Sequence, residues 1–448
     1  MNDKKNNNEL FQEQNVAKLY IGTAMPLTLS LIVTVIYGIV DTFFVARTGN
    51  TDLVAAVSLC GPIFSLQMAL GNMFAQGGSS LISRLLGQNE GERVSHVSAF
   101  VLYAALVVGS LIGVLMLIFT PQVLILLGTN KLTVDYARSY LRVIAVGSPF
   151  AVTSYIHTNL LRSEGMAKHA MVGNIGGSVL NMILDPFFIK IWGAAGAAFA
   201  TVLGYVFTVA FCFVIVYRKS RMLSVRPKDV VVNRFEIGQV FGIGIPASLS
   251  NIMMTVASVM TNQFLVKYGN DRIAALGISG RGTTIISLVL IGFTFGGAPL
   301  FGYFYGAKDK KRLAEIYRFA VKFICSLAIS ASILIFIIAP SFVRAFMDNE
   351  MIVYHGTLML RLHVVTMVFT GMISLYSILF QSTGKIRASF FLSLARQGLI
   401  FIPVLVIMST VFGYIGTVIA QNIADVISFV CAFIIFKKIL WDDFHQNK

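Results

Sequence analysis

The chain has few charged residues and few cysteines, and each shortage excludes a class of protein. Asp, Glu, Lys and Arg make up 12% of the 448 residues, whereas hydrophobic residues make up 56%. Soluble globular proteins carry about 25% charged residues, so the composition indicates a polytopic membrane protein. The four cysteines lie singly in separate apolar runs, which argues against a disulfide framework or a cysteine metal cluster: Cys60, Cys212, Cys325 and Cys431.

Motifs for nucleotide and nucleic-acid chemistry are also missing. A phosphate-binding loop of the G-x-x-x-x-G-K-[ST] kind does not occur, since Gly384-Lys385 is followed by Ile386. We therefore expect no ATP and no enzymatic cofactor. The formal net charge is +15, but the basic residues lie in short loops between apolar runs. That distribution predicts contact with lipid headgroups of the bilayer and no nucleic acid.

Twelve apolar runs are long enough to cross a bilayer, which takes roughly 20 residues. They lie near residues 18–46, 53–80, 94–120, 132–160, 166–190, 194–217, 236–266, 273–303, 313–340, 352–379, 386–409 and 413–437. We predict an all-α membrane protein of twelve transmembrane helices in two six-helix bundles. The predicted parts are a disordered cytoplasmic tail at 1–15, bundles at 16–217 and 236–437, a cytoplasmic linker at 218–235 and a cytoplasmic tail at 438–448.

The two halves resemble each other, which indicates an internal duplication. Met25-Pro26 aligns with Ile245-Pro246, and after one residue of slippage Ser163-Glu164-Gly165 aligns with Ser382-Thr383-Gly384. Each half has an even number of spans, so we expect a pseudo-twofold axis along the membrane normal and a cavity between the bundles. Alternate loops and both tails hold most of the Lys and Arg, which predicts that both termini are cytoplasmic in a multi-pass cell-membrane protein.

Two carboxylates lie inside apolar runs, Asp41 in the first and Asp185 in the fifth. Such groups cost several kcal/mol at bilayer depth unless they are protonated, paired or hydrated, so each is a candidate functional site. Helical rise places Asp41, Asp185 and Thr201 all about 10 Å below the outer ends of their spans. Asn181 lies one helical turn from Asp185. We predict that these four residues form one proton or cation site.

The order of these residues resembles the multidrug and toxic compound extrusion (MATE) transporters, most closely the MepA-like bacterial members. The resemblance covers nearly the whole chain and rests on five motifs: Tyr37-Gly-Ile-Val-Asp41-Thr42, Ile82-Ser-Arg84-Leu-Leu-Gly87, Arg162-Ser-Glu-Gly165, Leu180-Asn181-Met-Ile-Leu-Asp185-Pro186 and Gly193-Ala-Ala-Gly196-Ala-Ala-Phe-Ala-Thr201. It implies a transporter rather than an enzyme, exporting bulky, often cationic drugs and dyes by antiport with H⁺ or Na⁺. It also implies that Asp41, Asn181, Asp185 and Thr201 carry the coupling ion, with Na⁺ the one metal to consider, at Asp41 and Asp185.

Soft and flat side chains at membrane depth are candidates for an adaptable substrate cavity. They are Tyr37, Tyr155, Met253, Met254, Phe293 and Tyr376. Asp425 could join them as a counter-charge for substrate cations, or it could pair with Arg396, Arg281 or Arg361, which also fall at membrane depth. The aligned prolines Pro26 and Pro246 each remove a helical hydrogen bond and are candidate hinges.

Two other functions remain open at this point. A lipid-linked precursor flippase of a related branch would share the topology, although such proteins carry a strongly cationic cavity. An intramembrane aspartyl protease would also use two bilayer aspartates, but it would not explain the duplication. We expect the transporter to act as a monomer on small organic cations.

Overall fold

The structure is a computed structural model and describes residues 9–444. All of its regular elements are helical, so the predicted all-α class is confirmed. In chain order they are α1 Glu9–Gln12, α2 Val16–Ala46, α3 Thr51–Leu59, α4 Gly61–Gly87, α5 Gly91–Ile118, α6 Thr120–Leu126, α7 Val134–Ser163, α8 Ala167–Trp192, α9 Ala194–Lys219, α10 Arg234–Val266, α11 Asn270–Gly296, α12 Ala298–Gly306, α13 Lys310–Phe346, α14 Glu350–Val365, α15 Met367–Ser382, α16 Ile386–Leu394, α17 Phe401–Ile439 and α18 Trp441–Phe444. A 3₁₀ turn lies at Pro227–Asp229 and a π-helical turn at Ala395–Leu399.

The helices account for the twelve predicted spans. Within residues 9–444, nine helical segments are long and apolar enough to cross a membrane, and the pair α14 and α15, bent by 46°, makes a tenth. One of the nine, Ile386–Ile439, is 54 residues long and contains Gly413 in a non-helical conformation, which divides it into two spans. The remaining span is α7, whose 30 residues are more polar than those of the other spans.

Prolines explain why two of the spans are broken into two helices, and why α6 starts as a separate helix after the span of α5. Pro62, Pro121 and Pro299 stand in the first turns of α4, α6 and α12. Proline has no N–H to donate and clashes with the preceding turn, but it is well tolerated where a helix begins. In each case the preceding helix ends just before the proline and a new helix begins there.

The chain forms two compact units whose boundaries lie inside helices. One unit comprises Leu29–Ser248 with the residues up to Glu13, and the other comprises Gln14–Thr28 with the residues from Leu249 onward. The boundaries follow Pro26 in α2 and Pro246 in α10 by two residues. Both prolines are buried inside continuous helices. The predicted bundles at 16–217 and 236–437 and the predicted linker at 218–235 stay a prediction.

In the first unit, the segment between α9 and α10 is fixed to α5. Ser95 Oγ donates to Met222 O at 2.6 Å. Tyr103 OH donates to Val225 O at 2.9 Å. At the start of α10, Glu236 is buried and pairs with Arg93 at 2.8 Å. Residues 9–12, which lie within the tail predicted to be disordered, form the short helix α1 instead, and the side chain of Phe11 is buried.

In the second unit, the first turns of α2 pack closely on α11. Tyr20 OH donates to Phe293 O at 3.0 Å, and a Cβ added to Gly296 would lie 2.3 Å from Cα of Ala24. At the other end of this unit, the described part of the predicted 438–448 tail folds back as α18. Phe444 is fully buried there, and Asp443 pairs with Lys310 at 2.9 Å.

Candidate polar site in the first unit

Helices α8 and α9 are joined by a tight corner at Gly193. Gly193 has φ 56° and ψ −126°, a conformation that only glycine adopts without strain. Gly196 follows in α9. A Cβ added there would lie 1.9 Å from Phe188 O of α8, so the backbones of the two helices are in direct contact. Further from the corner, Gly177 faces Gly204, and an added Cβ at Gly177 would lie 2.6 Å from Gly204 O. These glycines hold α8 and α9 close together along their length.

The close packing brings Asn181 and Asp185 of α8 against Thr201 of α9. Asn181 is 2% exposed and Asp185 is fully buried. Asn181 Nδ2 donates to Thr201 Oγ1 at 3.2 Å and to Asp185 Oδ1 at 3.4 Å. Thr201 Oγ1 also donates to its own helix, at Ala197 O, over 3.0 Å. Three of the four predicted coupling residues therefore form one hydrogen-bonded cluster.

Helix α2 completes the cluster with Asp41 and Tyr37. The carboxyl groups of Asp41 and Asp185 lie within hydrogen-bonding reach of each other. One helical turn from Asp41, the Tyr37 hydroxyl is hydrogen-bonded to Thr201. The structure thus brings Asp41, Asn181, Asp185 and Thr201 together in one cluster, and their role as the coupling site stays a prediction.

Two oxygen atoms of this cluster have no donor among the described residues. They are Asn181 Oδ1 and Asp185 Oδ2, and both are buried. A buried acceptor left without a hydrogen bond costs about 1–3 kcal/mol. Because a carboxylate oxygen can be satisfied by a proton or by a cation, the arrangement suits the reversible binding of either. No set of three or more His, Cys, Asp or Glu side chains within residues 9–444 is arranged to hold a metal ion.

The candidate cavity residues lie in different surroundings. Tyr155, in the first unit, is half-buried, and its ring packs against Gly71. In the second unit, Met254 is 57% exposed and Met253 is half-buried, with its sulfur beside Gly398.

The two remaining aromatic candidates are buried in the core of the second unit. Phe293 stacks edge-on against Phe323 at 4.9 Å between ring centroids. Tyr376 lies 5.1 Å from Phe436, also ring to ring. A drug-binding role for the six aromatic and methionine candidates stays a prediction.

Asp425 pairs with one of the three candidate arginines. Arg396 Nε lies 3.0 Å from Asp425 Oδ1. Arg361 instead donates from Nε to Phe336 O at 3.1 Å, with its guanidinium over the Phe336 ring. Of the three arginines that the sequence left open as partners of Asp425, Arg396 is the one that pairs with it. A contact of Asp425 with substrate stays a prediction.

Sequence reasoning missed the role of Glu164, between α7 and α8. Its carboxylate is buried and accepts hydrogen bonds from Ser220 Oγ at 2.6 Å, Arg221 N at 2.9 Å and Met222 N at 3.2 Å. Burial raises the pKa of Glu164, and these hydrogen bonds oppose the rise. The available signal was the repeat alignment, since Thr383 stands at the corresponding position and only the first repeat has an acid there.

Comparisons with known proteins place the chain in a family. The family model described as MatE matches twice, over residues 26–187 and 246–407, once in each repeat. The chain is 31% identical over 428 residues to the multidrug export protein MepA of Staphylococcus haemolyticus, covering 95% of this chain and 93% of that protein. It is 30% identical to MepA of Staphylococcus aureus strain N315, over 95% of this chain and 94% of that protein.

Solved structures share the fold over almost the whole chain. One is a MOP superfamily transporter from Pyrococcus furiosus, described as having a binding pocket of reversed polarity; it has a TM-score of 0.90, is 24% identical, and the match covers 98% of this chain and 99% of that one. A MATE structure in complex with MaL6 has a TM-score of 0.88 and is 25% identical. That match covers 97% of this chain and 99% of the other. The twelve-helix prediction and the predicted resemblance are confirmed, and the chain therefore belongs to the MatE family, the multidrug and toxic compound extrusion transporters, and is an efflux transporter rather than an enzyme.

Proposed function

We propose that this protein exports bulky, often cationic organic compounds by antiport, taking up a proton at the Asp41–Asp185 pair for each cycle of export. The observation that carries the proposal is the direct approach of these two carboxyl groups. Two carboxylates this close repel each other, and a hydrogen bond between them requires a proton on one. The pair therefore suits the binding of one proton.

The surroundings favour release of the proton when access changes. Asp185 is fully buried, whereas Asp41 is half-buried, so the pair has one closed side and one more accessible side. Asn181 and Thr201 hold Asp185 in place through their hydrogen bonds. Burial makes the uncharged, protonated pair cheaper than the ionised pair, and entry of water reverses that preference. Alternating access would in this way couple loss of the proton to movement of the drug.

Sodium is the second candidate for the coupling ion. Asn181 Oδ1 and Asp185 Oδ2 are buried acceptors without a donor among the described residues. Hard cations bind oxygen ligands of this kind. A Na⁺ ion bound at Asp185 Oδ2 would neutralise the carboxylate as a proton does.

The setting of the proposal is the cell membrane, with both termini in the cytoplasm, and a monomer that needs no ATP. The substrate class follows that of the relatives, which are described as multidrug export proteins. A cationic compound and the coupling ion carry charge of the same sign. Binding of either one near the carboxylates therefore favours release of the other.

Asp185→Asn tests the coupling site. We expect ethidium efflux from cells to fall to the level of cells without the transporter, because the amide cannot exchange a proton; Asp41→Asn should be less severe. The matched control is Asp135→Asn, since Asp135 is an exposed acid of the same unit whose ion pair is with Arg138 of its own helix. Normal efflux by Asp185→Asn, with the protein inserted at its usual level, would refute the assignment.

Purified protein in liposomes separates the two ions. A proton gradient imposed alone should drive ethidium transport, and a sodium gradient imposed alone should not. Transport driven by sodium alone would replace the proton by Na⁺ at the same site. Transport driven by neither gradient would rule out both coupling ions.

A further inference from the structure

The second unit also has a buried acid in a polar cluster, but this carboxylate is fully hydrogen-bonded by the protein. Asp425 is 3% exposed. Its Oδ1 accepts from Arg396 Nε and from Gln421 Nε2, each at 3.0 Å. Its Oδ2 accepts from Thr370 Oγ1 at 3.1 Å, and Arg396 Nη2 donates to the same Thr370 hydroxyl at 3.2 Å. Acid, guanidinium and hydroxyl thus form a closed ring of hydrogen bonds.

The arginine lies in a local irregularity that the first repeat does not have. Arg396 belongs to the π-helical turn Ala395–Leu399. A π turn contains one residue more than an α-helical turn, and such turns often occur at functional sites. The stretch from Gly384 to Gly413 is one residue longer than its repeat counterpart from Gly165 to Gly193. The extra residue of the second repeat therefore falls in the stretch that carries the arginine.

The two polar clusters lie between corresponding helices of their units. In the first unit, α8 provides Asn181 and Asp185 while α9 provides Thr201. In the second, α16, the π turn and the part of α17 before Gly413 correspond to α8, and α17 beyond Gly413 corresponds to α9. Gln421 stands as far beyond Gly413 as Thr201 stands beyond Gly193. Each repeat thus places a buried acid and a polar partner at the same helix pair.

The clusters differ in what neutralises the acid. In the first unit, Asp185 faces a second carboxyl, and its Oδ2 has no donor among the described residues. In the second unit, Asp425 faces a guanidinium that is anchored to the chain. A proton or a cation can leave the first site, but the arginine cannot leave the second, and its guanidinium stays charged at all physiological pH.

We propose that Arg396 is a permanent, tethered substitute for the coupling ion. In the second unit it takes the position relative to Asp425 that the proton takes relative to the Asp41–Asp185 pair, and it prevents Asp425 from exchanging a proton during transport. Ion coupling is thereby confined to the first unit. The inference rests on the proposed function in that Asp41 and Asp185 are the coupling site.

Removal of the guanidinium should create a second proton site. Among the residues that the structure describes, the titratable or charged groups that face Asp425 are Arg396 in the π turn and His363 of α14. The neighbours from α15 and α17, Thr370 and Gln421, carry no charge. Without Arg396, a buried and ionised Asp425 lacks an adequate counter-charge, which is strongly unfavourable. Asp425 then has to take up a proton for the transporter to complete its cycle.

The test compares Arg396→Gln, Arg396→Lys and the double variant Arg396→Gln/Asp425→Asn, purified and reconstituted in liposomes. Ethidium transport is measured from acid to alkaline pH, together with the protons moved per ethidium. Arg396→Gln should move more protons per ethidium than the wild type, and its rate should fall by up to about tenfold more per pH unit on the alkaline side. Arg396→Lys, which keeps the charge, and the double variant, which has no acid to neutralise, should both keep the wild-type profile.

The matched control is Arg344→Gln, because Arg344 pairs with Asp348 on the exposed surface of the same unit. Its pH profile should be that of the wild type. An Arg396→Gln profile and proton ratio equal to those of the wild type would overturn the proposal. A merely structural ion pair would lower the rate at every pH and leave the proton ratio unchanged.

The double variant decides the case if Arg396→Gln does not fold, as judged by gel filtration. Recovery of folded protein with the wild-type number of protons moved per ethidium supports the proposal, and failure to recover, or a different proton ratio, overturns it. Failure of the proposed coupling site has a different signature, since it is read from Asp185→Asn with Arg396 intact. The Arg396 variants report only on Asp425 and can succeed or fail independently.

Discussion

Gly177→Ala perturbs the cluster at its support without altering any polar group in it. An alanine Cβ at Gly177 would lie 2.2 Å from Thr208 Oγ1 and 2.6 Å from Gly204 O, whereas ordinary contact begins at 3.4 Å. The threonine side chain can rotate, but Gly204 O is backbone and has to move by about 0.8 Å. Helices α8 and α9 must therefore separate one turn from Asn181, whose hydrogen bond to Thr201 is already 3.2 Å long.

The expected cost follows from three contributions. Overpacking of a close helix contact costs about 1–3 kcal/mol. Loss of the hydrogen bond between Asn181 and Thr201 adds about 1 kcal/mol. Alanine recovers about 1 kcal/mol because its helix propensity exceeds that of glycine. The free energy of unfolding should fall by about 1–3 kcal/mol in total, and coupling should weaken because Asp185 loses its fixed neighbour.

Thermal unfolding in detergent and ethidium efflux measure the two effects. The matched control is Gly238→Ala in α10 of the same unit, where an added Cβ would have nothing within 4 Å. That variant should be as stable as the wild type or slightly more stable, with normal efflux. If Gly177→Ala also unfolded at the wild-type temperature and exported ethidium normally, the close contact would not be what holds the site together.

Two further substitutions test single groups. Thr201→Val removes the hydroxyl that accepts from Asn181 and should lower efflux by about fivefold, the equivalent of about 1 kcal/mol, whereas Thr201→Ser should keep it; equal efflux by both variants would contradict this. Burial raises the pKa of Glu164 from its ordinary 4.5. The folded protein therefore binds this proton more tightly than the unfolded chain, and the resulting stabilisation is complete below about pH 4.5 and is lost as the pH rises through the raised pKa. Wild-type thermal stability should accordingly decline with rising pH relative to that of Glu164→Gln, and parallel pH profiles of the two proteins would show that Glu164 does not contribute.

The convergence of Asp41 and Asp185 could be predicted because it depends mainly on depth. Helical rise fixes how far a residue lies along its span, and the twelve spans are visible as apolar runs. Asn181 and Asp185 also lie four residues apart and therefore share one face of α8. With depth and face both fixed on one helix, a single neighbour at the same depth, Thr201, was enough to locate the cluster.

The partner of Asp425 could not be predicted in the same way. Arg281, Arg361 and Arg396 all lie at membrane depth, and the choice among them depends on how each helix is rotated about its axis. One additional residue rotates the rest of a helix by about 100°. The π turn at Ala395–Leu399 introduces such a rotation. Its trace in the sequence is the one additional residue between Gly384 and Gly413, compared with the stretch from Gly165 to Gly193 in the first repeat.

Buried and cavity-lining aromatic residues also look alike in the sequence of a membrane protein. Phe293 and Tyr376 were grouped with Tyr37 because all three lie at membrane depth. The structure buries Phe293 and Tyr376 among other aromatic rings of the second unit, while Tyr37 is half-buried and contacts Thr201. In an almost wholly apolar span, hydrophobic periodicity is too weak to separate a core-facing position from any other.

The two repeats share their backbone geometry and differ in their charges, which locates the chemistry in side chains rather than in the architecture. Gly193 and Gly413 have nearly the same conformation, with φ 56° and 57° and ψ −126° and −129°. An added Cβ at Gly196 would lie 1.9 Å from Phe188 O, and one at Gly416 would lie 1.8 Å from Met408 O. Backbone contacts this close tolerate no side chain, so both corners are fixed in shape. The side chains beyond each corner are not constrained in that way. Any set of polar side chains that neutralises its own buried charge fits between the same two helices. One repeat can therefore exchange its neutralising ion while the other retains an arginine, on the same fold.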